Sequence, residues 1–193
     1  AGTLDNSRGT IEADGTLAVT AQSLANEAGS ITNSGAGATS VNAGGALSNT
    51  QGGLIAGNGD VSVSGGSVSN AQGAIASAGK TSVRSGDAFD NRAGLVQAAG
   101  PVSISAQGAI DNTRGQIEAN GATATLAVTG ASLDNTDGRV ANAGTGATDI
   151  SATEIVSSNT AGGAGTIGGN GDVTVNVQTL SNLSGAQLVA GHD

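Results

Sequence analysis

Apolar and polar residues alternate along this chain in short runs, each opened by a glycine. Gly15–Val19 reads G-T-L-A-V and Gly59–Val63 reads G-D-V-S-V. Gly100–Ile104 reads G-P-V-S-I and Gly171–Val175 reads G-D-V-T-V. Period-2 alternation over so few residues predicts a short β-strand with one buried face. No stretch keeps the period of an amphipathic helix, and 34 glycines are too many for helices to tolerate.

These runs belong to a repeating unit. An apolar residue, any residue and then Asn recur along the chain. The apolar positions are Leu4, Leu24, Leu47, Val68, Phe89, Ile110, Leu133 and Leu180, and the asparagines are Asn6, Asn26, Asn49, Asn70, Asn91, Asn112, Asn135 and Asn182. A degraded copy occupies 155–159. Glycine comes three residues after each Asn, at Gly9, Gly29, Gly52, Gly73, Gly94, Gly115, Gly138 and Gly185. A bulky aliphatic follows: Ile11, Ile31, Ile55, Ile75, Val96, Ile117, Val140 and Ile167. Units are 20–25 residues apart, and the phrase L-D-N-S-R-G-T-I-E-A at 4–13 returns five units later as I-D-N-T-R-G-Q-I-E-A at 110–119.

Each unit supplies three short strands joined by Gly or Asn turns. One such unit cannot bury its apolar face, whereas stacked copies bury it against one another. The expected fold is all-β: a parallel β-helix of about nine coils, three strands per coil, right-handed by the crossover preference. At the spacing of paired strands the rod is roughly 43 Å long. The apolar column points inward as core. The asparagines are expected to form an amide ladder at a turn, and the glycines to supply turn positions with φ > 0.

Composition leaves this reading standing. Leucine, isoleucine, valine and phenylalanine make up only about a fifth of the chain, close to the line below which highly charged sequences are disordered. Here the net charge is −9, and a repeat held in register is not low-complexity sequence. The chain has no cysteine, so no disulfide framework or thiolate metal site is expected. Six basic residues against 15 acidic ones leave no basic patch for nucleic acid or anionic lipid. No run approaches the roughly 18 apolar residues of a membrane-spanning helix, so no membrane insertion is expected. The sequence opens inside a repeat, so residues 1–193 are expected to be one repeat segment of a longer protein.

The phrase L-x-N-x-x-G-x-I-x-A followed by G-x-V-x-V resembles the repeats of the filamentous haemagglutinin family, from Leu4 to about Ala190. These are large exoproteins of Gram-negative two-partner secretion, and they include adhesins and contact-dependent growth-inhibition toxins. The resemblance implies a right-handed β-helical rod, exported through an outer-membrane transporter and secreted or displayed on the bacterial surface. It also implies that receptor contact with a host or target cell is made through other regions.

Several polar features are candidate sites. The Asn column reads better as a structural ladder than as a ligand-binding row. The glycines, including Gly15, Gly79 and Gly121, lack the P-loop pattern and read as turns. Asp90, Asp111 and Asp134 fall in successive coils, a carboxylate column that suits an oxygen-preferring cation such as Ca²⁺. It lacks the G-G-x-G-x-D repeat of calcium-binding β-rolls, and Arg92 and Arg114, with Asp137 next in line, favour a solvated charged edge. Asp60 and Lys80 read as an exposed ion pair with Arg84 nearby. His192 is the lone histidine and reads as a solvated end residue. Longer turns at Ser34–Ala38, Ala122–Ala124 and Ala143–Thr148 lie on one side, where solenoids often bind partners, but they carry only small residues. The sequon at Asn182–Ser184 is a chance-level match.

Three functions compete on these residues. The favoured one is a structural rod of a surface-displayed filamentous adhesin, with the stalk of a growth-inhibition toxin as alternative. Direct receptor or glycan binding is the second class, weakened because Phe89 is the only aromatic. A polysaccharide-lyase-like enzyme is the third, and Lys80 as the only lysine argues against it. No cofactor is expected.

Overall fold

The computed structural model describes residues 2–160, 162 and 165–191, and these form a right-handed parallel β-helix of 24 strands. The first coil sets the plan with strands Thr3–Asp5, Thr10–Ala13 and Leu17–Ala21. The second follows with Ser23–Ala25, Ser30–Asn33 and Thr39–Ala43. Each strand pairs in parallel with its copy one coil on: Leu4 lies beside Leu24, Ile11 beside Ile31 and Val19 beside Val41. Parallel strands cannot be joined by hairpins, so the chain must travel round the rod between partners.

The first and second faces continue for nine rungs and the third for eight. Eight coils are therefore closed, and two strands of a ninth follow, in keeping with the expected β-helix of about nine coils. Among the described residues no third strand lies above Val173–Leu183.

Like residues stack on like because the register is kept. Ile31, Ile55, Ile75, Val96 and Ile117 form one inward column, and Val41, Val63, Val83, Ile104 and Val128 form another. All are buried. The column anchored on the apolar-x-Asn pattern is buried from Leu24 to Leu133 and continues with Ile155 in the eighth coil. Its ends differ from the expected uniform core. Leu4 is half-buried, and Leu180, although in register with Ile155, is 42% exposed because no described coil covers it.

One corner changes along the rod. Between the third strand and the next coil, early coils bend at Gly44-Gly45, Gly66 or Gly86. The later strands Thr148–Ser158 and Val173–Leu183 run straight through that corner, 11 residues each, with Thr153 beside Ala131 of the coil beneath.

Phe89 is fully buried between Val68 and Ile110. Replacing it by alanine removes a large inward side chain that neighbouring coils cannot fully collapse around. We expect Phe89→Ala to cost about 3–5 kcal/mol and Phe89→Leu far less, read from urea unfolding midpoints. Equal midpoints for wild type and Phe89→Ala would contradict this packing.

Candidate functional site

The most regular polar arrangement is a column of buried carboxamides at the corner between the first and second faces. Asn6 Nδ2 donates to Asn26 Oδ1 at 2.7 Å, and the same bond links Asn26 to Asn49 at 2.7 Å. It continues to Asn70 at 2.7 Å, Asn91 at 2.8 Å, Asn112 at 2.7 Å and Asn135 at 2.7 Å. Each amide also donates to the carbonyl that opens the second strand of the coil above, as Asn49 does to Ala74 at 3.0 Å. A buried amide costs free energy unless its donors and acceptor are paired. Here the partner comes from the next coil.

The ladder stops at the eighth coil. Ser157 stands in register with Asn135, accepts from its Nδ2 at 3.4 Å and donates to Gly165 O at 2.8 Å. Asn182 is cut off from the column by this serine. It is exposed and donates only weakly to Ala186 O at 3.4 Å.

The turn glycines are explained differently from expectation. The left-handed conformation falls one residue earlier, on Arg8, Ala28, Gln72, Ala93, Arg114 and Asp137, with φ between 51° and 59°. Gly9, Gly29, Gly73, Gly94, Gly115 and Gly138 do not have positive φ. They are required by close approach: from Gly29 onward, a Cβ would overlap the carbonyl oxygen of the ladder Asn in the preceding coil. Two expected positions depart from this. Gly52, with φ 86°, belongs to a turn one residue longer, and Gly53 takes the tight place over Asn26 O. Gly185, with φ 79°, sits in a turn of the same kind, and Ala186 follows it. Ser157, not Asn, lies in the coil beneath.

The carboxylate column is in register, Asp90 beside Asp111 beside Asp134. Each carboxylate accepts from the backbone N–H two residues on, at Arg92 (3.1 Å), Thr113 (3.0 Å) and Thr136 (2.9 Å). Arg92 adds ion pairs to Asp90 at 2.7 Å and to Asp111 at 3.6 Å. Arg114 makes none among the described residues. Asp137 turns elsewhere, accepting from Thr160 N at 2.6 Å and Thr160 Oγ1 at 2.8 Å. Among the described residues no cluster of three or more His, Asp or Glu is gathered as a metal site. Asp60 does not form the expected ion pair. Its Oδ1 accepts from the backbone N–H of Lys80 at 2.8 Å, and Arg84 lies on the strand beyond. His192 lies outside the described residues.

The longer turns are held by two residues that sequence reasoning passed over. Asn33 and Asn142 occupy inward positions, 3% and 2% exposed. Asn33 donates to Gly15 O at 2.8 Å and Gly37 O at 3.0 Å, and accepts from Gly35 N at 3.1 Å. Asn142 donates to Ala124 O at 2.9 Å and Gly146 O at 3.0 Å, and accepts from Gly144 N at 2.9 Å. The signal was present: N-S-G-A-G-A-T at 33–39 and N-A-G-T-G-A-T at 142–148 share the pattern N-x-G-x-G-A-T. Thr148, counted with the turn, instead begins a strand and is buried like Thr39. Beside these turns lie two open grooves, five coils apart. One of about 570 Å³ is lined by Asn33, Ser34 and Asn58, and one of about 240 Å³ by their counterparts Asn142, Ala143 and Asn170.

Two outcomes test this geometry. Gly94→Ala places a methyl group against Asn70 O and should cost more than about 2 kcal/mol, as overpacking does. Ala93→Gly frees a strained φ of 51° and should be neutral or stabilising by up to about 1–2 kcal/mol. Thermal unfolding of the two variants, one residue apart, checks the assignment; the reverse order would contradict it. The second test concerns Asp90. Burial works against its charge, but the hydrogen bonds and charge of Arg92, with Ser69, more than offset this and hold the carboxyl below its ordinary value. A lowered folded pKa gives stability that is present above the unfolded value of about 3.9 and lost as pH falls through the folded pKa. Asp90→Asn should therefore lower the unfolding free energy read from urea titration at neutral pH, by under about 1 kcal/mol for a partly exposed pair. The gap should close in acid, and a gap that persists there would contradict it.

Comparison with known proteins places this arrangement. A family model described as the haemagglutinin repeat matches residues 1–51, 35–114, 90–153 and 143–193, which together run the length of the chain. A protein named tRNA nuclease CdiA-2 from Burkholderia pseudomallei (strain 1026b) is 41% identical over 75 residues, covering 37% of this chain and 2% of that protein. The chain thus corresponds to a small fraction of the length of that relative. No solved structure matches it.

Proposed function

Because the chain belongs to the haemagglutinin-repeat family, we propose that it is a rigid stalk segment of a large exoprotein and holds other modules away from the bacterial surface. The observation that supports this most directly is the unbroken register of the first and second faces through nine rungs. Parallel backbone hydrogen bonds run along the rod axis, so axial load is shared by three ladders together. Coil number sets length, and a nearly interchangeable coil lets length change without redesign of the fold. The parent protein is exported through an outer-membrane transporter of a two-partner system and is secreted or displayed at the surface. Its receptor contacts with a host or target cell lie in other modules.

Two versions of the stalk differ in what it carries. The first is a filamentous adhesin. The second is a contact-dependent growth-inhibition toxin, which is favoured by the nuclease name of the relative that matches at 41% identity. In either version this segment acts mechanically and not as the reacting centre.

The five-unit recurrence supplies the test. Deleting residues 4–109 from the full exoprotein joins coil six to whatever precedes coil one in the same phase, since the phrases at 4–13 and 110–119 are equivalent. The rod should shorten by about 24 Å, seen by electron microscopy, while export and the activity of the distal module persist. Loss of cell or glycan binding with the distal module intact would instead assign binding to this segment and overturn the stalk reading.

A further inference from the structure

Asparagine followed by glycine is the dipeptide most open to attack by the backbone on its own side chain, because glycine puts no Cβ beside the reacting nitrogen. The chain contains three such pairs, Asn58-Gly59, Asn120-Gly121 and Asn170-Gly171. All three occupy the same corner, just after the second strand, and all three asparagines are exposed. They differ in one respect. Asn58 Nδ2 donates to Ser34 O at 2.7 Å, and Asn170 Nδ2 donates to Ala143 O at 2.8 Å. Each of these amides is tied to the longer turn of the coil beneath. Beneath Asn120 lies the short turn at Ala99-Gly100, and the Asn120 side chain makes no hydrogen bond among the described residues. Its backbone N–H is anchored to Ala98 O at 2.9 Å, so only the side chain is free to turn.

We propose that Asn120 is a self-modification site, which loses its side-chain amide while Asn58 and Asn170 keep theirs. The backbone nitrogen of Gly121 gives up its proton to solvent base and bonds to Cγ of Asn120. The Cγ–Nδ2 bond breaks, and the nitrogen leaves as ammonia after taking a proton from water. The five-membered succinimide that results is opened by a second water at either carbonyl, giving aspartate or isoaspartate. No oxidant or other reagent is needed. At Asn58 and Asn170 the hydrogen bond to the lower coil must break before Cγ can swing toward the glycine nitrogen, which slows the first step.

The product matters to the rod because of where it forms. Gly121 O accepts from Ala124 N at 3.0 Å, and a Cβ on Gly144 of the coil above would overlap Gly121 O. Isoaspartate lengthens the main chain by one carbon at that contact. Either product adds a negative charge to a chain already at −9. Ageing at one residue would loosen the stacking between the sixth and seventh coils.

The three pairs fall on separate tryptic peptides, 9–80, 115–139 and 140–193, because the six basic residues divide them. The folded protein is incubated at mildly alkaline pH and sampled over days, with digestion and fragment mass spectrometry locating each amide-to-acid change. Asn120 should convert faster than Asn58 and Asn170 by roughly fivefold, the rate equivalent of one net hydrogen bond. In denaturing urea the three rates should converge. Equal rates in the folded protein, or a difference that survives in urea, would overturn the proposal. Asn120→Asp should prevent further mass change in peptide 115–139, and a continuing change at another residue would also overturn it.

Discussion

No coil of this protein can satisfy its own polar groups. The strands are two to five residues long through most of the rod, and their N–H and C=O groups point up and down the axis and not across the coil. Even the turns follow this rule. Ala93 N–H, in a left-handed turn, donates to Thr113 O one coil on, and Arg114 N–H donates to Thr136 O. The buried carboxamides repeat the same arrangement in side chains, each Nδ2 facing the Oδ1 above. Every coil is thus a template that its neighbour completes, and the register must be kept because a slip would leave several buried groups unpaired at once.

That constraint explains where the sequence varies. The three columns of large apolar residues change only among Ile, Val, Leu and Phe, whereas the buried column that opens the third strand alternates Thr39, Val61, Thr81, Val102, Leu126 and Thr148. The ladder turn takes glycine where it passes over an Asn carbonyl of the preceding coil. Length changes occur at more than one corner: the ladder turn gains a residue at Gly52, and the corner between second and third strands is lengthened at Ser34–Ala38, Ala122–Ala124 and Ala143–Ala147. Even there the additions are ordered. Asn33 and Asn142 turn inward and gather the carbonyls and N–H groups of their own longer turns. The same solution appears in the second and seventh coils, in step with the phrase shared by the first and sixth. Two features of the rod thus recur once after five coils, the phrase at 4–13 and 110–119 and the turn held by Asn33 and Asn142.

The irregular part of the rod shows what happens when the template weakens. Where Ser157 replaces the ladder Asn, the turn no longer needs glycine in the tight position, and Ala186 is accommodated one coil later. The corner beside it straightens at Thr153. These changes occur together near the eighth coil, while Ile155 and Ile167 remain in their columns. Apolar stacking thus outlasts the loss of the polar ladder, as expected when the core is shared by all coils and the ladder occupies one corner.

The sequence by itself determined the repeat, the three strands per unit, the parallel stacking and the inward columns. Each depends on a residue type recurring at a fixed spacing, and spacing survives without coordinates. It also marked Asn6 through Asn135 as one column. It did not determine why the glycines are there, because a left-handed turn and a close approach call for the same residue. Only the tertiary structure separated them, placing the positive φ on Ala93 and the tight contact on Gly94. It also decided that Asn182 lies outside the ladder and that Gly53, not Gly52, belongs to the glycine column. Asp60 went to a backbone N–H and not to the Lys80 side chain. In each case the deciding partner sits one coil away, more than 15 residues distant in the chain, and only stacking brings it within hydrogen-bonding or van der Waals reach.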